Sequence, residues 1–456
     1  MSVCELGRHC LFIIGGILLA SSALAQVHIF DNVTLIDGTG GTPRPNMTVV
    51  VENDRFTHIM PTTLAAKPDG QRIDGTGKFL IPGLMDMHIH LGGGWELDPE
   101  GVRSAGSDFE EGRAALASYL YSGVTSVYDS GNNPDYIFEL RSQERAGEIK
   151  SPRIFATGGI VTYPGSHGSG PGYTPVDDWP EAKLALNEHI ARKPDILKLT
   201  LEERGWGARP MIPLLPVDLM QHIIEYYGDR GIRTTVHASS ELRAREAIFA
   251  GIDNLSHPVI QGPITDRFAA LMGAKKVPMV STLAIGENYS RLAEHPEYLD
   301  QPLYQAALSV QDIQTLKTTT FEEWKARTWT WWMKIMTPVA QENLRKVHAA
   351  GGVIVLGTDQ TIGAAVHREM ELLQDAGISA GDIIRIATLN GALFLGREAD
   401  LGSIHIGKLA DAVLLNSDPT LDVNNAKDIA LVMKAGEIID ETTLPLAGVR
   451  SKGRRN

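Results

Sequence analysis

Residues 80–91 read Leu-Ile-Pro-Gly-Leu-Met-Asp-Met-His-Ile-His-Leu. Side chains on a strand alternate between two faces. Met85, Met87, Ile89 and Leu91 therefore share one face, and Asp86, His88 and His90 the other. That division suits a barrel wall, with the apolar face under helices and the histidines directed into the mouth. Neutral imidazole is a good ligand for zinc and its neighbours, so histidines two residues apart can grip one ion. With fourteen histidines in the chain, the pair is weak evidence alone. Its meaning depends on what the other strands supply.

Outward from this stretch, strand-like runs at 126–129, 153–157, 196–201, 233–237, 254–256, 278–281 and 353–357 alternate with amphipathic stretches such as 112–122, 217–228, 242–250 and 341–350. Alternation on this scale predicts an α/β fold, a closed (β/α)8 TIM-type barrel over 81–397, with its chemistry at the C-terminal strand ends. Short alternating runs broken by Gly and Pro fill 26–80 and return over 398–456. They predict small antiparallel strands, with both chain ends pairing into one composite β-sandwich. Residues 286–340 form a helical insertion holding Trp324, Trp329, Trp331 and Trp332. Phe321, Trp324, Thr328, Trp331 and Ile335 fall at helical spacing. That face is expected to pack against the barrel; the alternative is a wall of an apolar substrate pocket.

The chain has 456 residues and a formal charge of −13, which argues against a nucleic-acid binder. Its first residues predict a secretory signal over 1–25. Arg8 precedes an apolar run over 11–20, and Ala23-Leu24-Ala25 forms a small-x-small cleavage pattern before Gln26. The run is shorter than the roughly 20 residues that span a bilayer. A secreted or periplasmic protein without a stable membrane anchor is expected. Both cysteines, Cys4 and Cys10, lie inside that signal, so any metal site in the mature chain must use His, carboxylate or Lys-derived ligands.

Several strands carry candidates. In the run 196–201, Lys198 shares a face with Ile196 and Thr200. A buried ammonium is costly and tends to lose its proton. The neutral amine can add carbon dioxide to give a carbamate that bridges two metals; the alternative is a lysine reaching the strand end to pair with Glu202. His237 and His257 each end a strand, where a lone histidine is more often a satisfied core residue. Asp359 ends the run from Val353, on one face with Val355 and Gly357; alone it would read as a helix N-cap. Together, His88, His90, Lys198, His237, His257 and Asp359 close or share successive strands around one rim, a pattern that separate structural accidents explain poorly.

The chain resembles the amidohydrolase superfamily, in its binuclear-metal imidazolonepropionase-like and prolidase-like branch. The resemblance is carried by the stretch from Pro82 to His90, the Lys198 strand and Val236-His237-Ala238. It continues through the run from Ala250 to His257, Leu356-Gly357-Thr358-Asp359, and the closing segments 387–392 and 402–411. It implies that His88, His90, Lys198 and Asp359 hold one divalent ion, and carbamylated Lys198 with His237 and His257 a second, zinc being expected. A bridging hydroxide would attack a polarised carbonyl, and Asp359 would move the proton to the departing nitrogen. His167, in a loop after the third strand, is where relatives place a histidine on the substrate carbonyl; the alternative is a solvent-exposed loop histidine. Asp86 is read as support beneath the ligands. The implied substrate is a small-molecule amide: an N-acyl amino acid, a dipeptide or a cyclic amide. The same site could open a lactone, ester or phosphotriester, and a metal-free structural relative is the remote alternative. Beyond metal and carbon dioxide no cofactor is implied, and a homo-oligomer is expected. The chain departs from the family wording at Ser239-Ser240 and at Pro258-Val259, which puts transfer of any one relative's substrate in doubt.

Overall fold

Short runs of Val, Ile and Leu buried on both faces are what parallel strands covered by helices require, and the strand Ile196–Thr200 is buried along its whole length. The computed structural model of the chain describes residues 26–64, 69–92, 108–170, 172–203 and 211–450. The expected signal over 1–25 lies outside the described residues.

Eight parallel strands organise the centre. Leu84–Ile89 pairs with Val124–Asp129, which pairs with Arg153–Ala156. Ile196–Thr200 runs beside Arg233–His237, with Lys198 opposite Thr235 and Thr200 opposite His237. Asn254–Leu255, Met279–Val280 and Ile354–Val355 follow in order. Backbone bonds join the two groups of strands. Asp195 N–H donates to the Ala156 carbonyl at 2.9 Å, Met87 N–H to Leu356 at 3.0 Å and Asp359 N–H to His88 at 2.7 Å. The eighth strand is thus tied back to the first. Ile89 and Leu91 pack in the main core beneath the helices. Met85 and Met87 instead join Tyr128, Phe155, Val280, Val355 and Phe394 in a separate core.

The two chain ends meet as neighbouring strands. Ala412–Leu415 runs antiparallel to Phe79–Pro82, with Leu415 opposite Phe79 and Ala412 opposite Pro82. They share one eight-stranded sheet with its own core of Phe30, Val49, Phe56, Leu80, Leu414 and Met433. A loop closes onto the sheet: Phe56 N–H donates to the Lys408 carbonyl at 3.1 Å and Ala410 N–H to Asp54 at 2.7 Å.

The tryptophan-rich stretch corrects one expectation. A single helical face through Phe321, Trp324, Thr328, Trp331 and Ile335 does not exist. Arg327 is extended, at φ −81° and ψ 126°, and separates helix Phe321–Ala326 from helix Thr328–Ala349. The break resets the phase, so the second helix buries Thr330, Met333, Thr337 and Ala340 while Ile335 is exposed. Trp324 is buried in the main core, with its ring 4.3 Å from that of Tyr289. That contact is packing. Among the described residues no helix is long and apolar enough to cross a membrane.

Candidate metal centre

His88 and His90 reach the mouth because they alternate with Met87 and Ile89 on one strand. Each ring is fixed from behind by a main-chain acceptor: His88 Nδ1–H donates to the Ser256 carbonyl at 2.9 Å, and His90 Nδ1–H to the Gly131 carbonyl at 2.7 Å. A carbonyl can only accept, so the tautomer is set and Nε2 faces inward. Burial, then the charges of Lys198 and His90, hold the His88 pKa well below the ordinary histidine value. This ring is neutral and keeps a lone pair on Nε2.

Those lone-pair atoms converge. His88 Nε2 and His90 Nε2 lie 3.3 Å apart. Asp359 Oδ1 is 3.8 Å from the first and 3.4 Å from the second. Zinc bound tetrahedrally at about 2.0–2.1 Å spaces its ligand atoms by about 3.3–3.4 Å, close to what these side chains already adopt. The three residues form a group able to hold a metal ion. Asp359 is no helix cap: it stands at φ 52°, and the following helix begins at Ala364 with Gly363 before it.

His237 and His257 lie beside this group. The His257 ring centroid is 4.5 Å from that of His88 and 4.3 Å from that of His237. Burial holds His257 well below the ordinary histidine pKa, and the closeness of the ionisable His237 and His88 rings adds to it. His237 is also lowered by burial, against the opposing pull of Glu202. Lys198 is 2% exposed, and burial pushes its amine down to about 7 while the Asp359 charge works the other way. Its Nζ donates to Ser130 Oγ at 3.0 Å.

The alternative pairing of Lys198 with Glu202 is not what the structure holds. Glu202 instead faces His237, Oε2 to Nε2 at 3.6 Å. It accepts from the Ser239 hydroxyl and from Gln261 Nε2 at 2.9 Å. This gives Ser239, one of the departures noted in the sequence, a role in a buried network; Ser240 caps the next helix by accepting from Arg243 N–H. His167 comes to the same mouth. Its ring lies 4.1 Å from that of His237, and its carbonyl accepts from Thr200 Oγ1 at 2.7 Å. Asp86 sits beneath, accepting from His88 N–H at 3.2 Å and from Thr358 Oγ1 at 2.6 Å. All the singled-out residues are therefore gathered at one end of the parallel strands. Ser130, Glu202, Gln261 and Thr282 complete the surroundings. The sequence did not mark these four as site residues; a polar residue just past a strand end was the only signal that Ser130, Glu202 and Thr282 offered, and Gln261 offered none.

A model of the Amidohydrolase family matches residues 79–439. The imidazolonepropionase of Shouchella clausii is 24% identical over 405 residues, which cover 81% of this chain and 78% of the relative. Ochratoxinase of Aspergillus niger is 22% identical over 444 residues, covering 92% and 88%. A Xaa-Pro dipeptidase crystallised with bound methionine superposes with a TM-score of 0.73 at 21% identity, covering 91% of this chain and all of that one.

Proposed function

The chain belongs to the Amidohydrolase family, and on that premise we propose that it is a (β/α)8-barrel hydrolase of amide C–N bonds working with two divalent ions. Zinc suits a donor set of imidazole and carboxylate without thiolate. The observation that carries the proposal is the convergence of His88, His90, Lys198, His237, His257 and Asp359 from five different strands. His88, His90 and Asp359 would hold one ion and His237 with His257 the other. Lys198 would lie between them as a carbamate: its neutral nitrogen bonds to the carbon of carbon dioxide and releases one proton. Divalent ions held there would acidify a bound water and polarise a carbonyl.

The protein's own groups do the rest. Asp359 takes a proton at its carboxylate and returns it to the departing nitrogen, acting as base and then as acid. His167, beside His237, would donate to the substrate carbonyl oxygen. Asp86 ties the His88 strand to Thr358, next to Asp359, so the ligands from the first and last strands keep their relative position.

The small-molecule candidates are N-acyl amino acids, dipeptides and cyclic amides, the dipeptides supported by a relative named as a dipeptidase. The test is a hydrolysis screen of these three classes with zinc-loaded protein, run beside aryl esters and lactones. Metal-dependent amide cleavage is expected. Turnover of esters or lactones alone would move the assignment to the alternative bond class. Export is also proposed, from the sequence pattern alone, and a mature N-terminus at Gln26 would bear it out.

A further inference from the structure

Thr282 holds a conformation that a β-branched residue seldom adopts, φ 30° and ψ 43° in the left-handed region. Strain of this kind persists only where the surroundings over-determine it. Here four hydrogen bonds do so. Thr282 N–H donates to the Gly357 carbonyl at 3.0 Å. The next two amides, of Leu283 and Ala284, donate to the two carboxylate oxygens of Glu369 at 2.9 and 2.7 Å. The fourth joins Thr282 Oγ1 to His257 Nδ1 at 2.9 Å.

The exchange of partners is the informative part. Thr282 is the N-cap of helix Leu283–Glu294, yet its side chain makes no capping bond. A threonine there ordinarily turns its hydroxyl to the second or third amide of its own helix. Those first-turn amides need an acceptor, and Glu369 supplies it from helix Ala364–Asp375, its carboxylate fully buried. With the cap provided from outside, the Thr282 hydroxyl is released to face His257.

We infer that Glu369 and Thr282 are positioning residues for His257. Glu369 takes over the helix amides, Thr282 is held left-handed, and its Oγ1 accepts the His257 Nδ1 proton. Nε2 of His257 then carries the lone pair that a metal ion needs, and the ring's orientation is fixed. This rests on the metal-centre reading above. It adds that one ligand depends on a strained residue, locked by a carboxylate belonging to another helix.

The test uses the full chain with zinc, comparing wild type with Thr282→Ser, Thr282→Val, Thr282→Gly and Glu369→Gln. Zinc per chain is measured against a graded chelator, together with the melting temperature. Wild type and Thr282→Ser should hold two ions alike. Thr282→Val should weaken one ion 10- to 100-fold and leave the other unchanged. Thr282→Gly should weaken the same ion while melting no lower than Thr282→Val, because glycine adopts positive φ without strain. Glu369→Gln should weaken that ion too. Two ions bound with wild-type affinity in both Thr282→Val and Thr282→Gly would overturn the inference. Fewer than two ions in wild type would overturn the metal reading first, and this inference with it, before any variant is compared.

Discussion

His88 Nε2 and His90 Nε2 face each other at 3.3 Å while the opposite nitrogen of each ring is engaged by a main-chain carbonyl. Asp359 Oδ1 completes the triangle. Acceptor atoms aimed at one point from two strands repel one another, and a cation at that point relieves the repulsion. Removing metal from the folded protein should therefore cost stability as well as activity. A ligand bound only by the native state stabilises it by RT ln(1 + [L]/Kd), about 4 kcal/mol at a thousandfold excess over Kd. Chelation should abolish amide hydrolysis and lower the melting temperature by several degrees, with both restored by zinc. His90→Asn should resemble the chelated protein and fail to recover. Unchanged melting on chelation would contradict this.

Asp359 is assigned proton transfer as well as ligation. Asp359→Asn keeps the size and one acceptor oxygen but cannot take up the proton. It should lower kcat by about 10²–10⁴-fold, with a smaller change in KM, in protein that still binds zinc. Activity within tenfold of wild type would remove Asp359 from the proton path.

Gly357 follows the eighth parallel strand and packs directly against the first. A Cβ there would sit 2.3 Å from Val280 Cγ1 and 2.9 Å from His88 Cβ. Gly357→Ala should therefore push the His88 strand away from Asp359. A cost of about 1–3 kcal/mol is typical for overpacking, and zinc affinity should fall with it. A variant that melts like wild type and binds zinc equally well would show that the strands can give.

Glu369 supplies a pH signature. Burial raises its carboxyl from 4.5 to about 7, although the Leu283 and Ala284 amides pull the other way. The folded state thus holds this proton more tightly than the unfolded chain does. The group's contribution is fully present below about pH 4.5 and is lost as the pH rises through about 7. Glu369→Gln cannot titrate. Between pH 5 and 8 the wild type should therefore lose stability relative to this variant, read as the difference between denaturation midpoints at each pH. Parallel curves would contradict it.

Much of the centre was legible because strand alternation is a local property. His88 and His90 follow from Met87 and Ile89, and Lys198 follows from the leucines on either side of it. The rim order of the candidate ligands follows from the order of the strands. What stayed hidden depends on tertiary contact. The left-handed Thr282 is produced by Glu369, eighty-seven positions along the chain, and no local pattern announces it. Glu202 looked like a partner for Lys198 because it is four residues away; packing turned it to His237 and gave Lys198 to Ser130. The tryptophan face failed for a local reason that periodicity does not register, a single extended residue at Arg327.

Crystals of active, zinc-loaded protein measured at the zinc absorption edge test the central claim most directly. The account predicts two anomalous peaks about 3.5–4 Å apart. One should lie among His88, His90 and Asp359 and the other against His237 and His257, with carboxylate density on Lys198 between them. A single peak, or an unmodified Lys198 amine in crystals that turn over an amide, would contradict it.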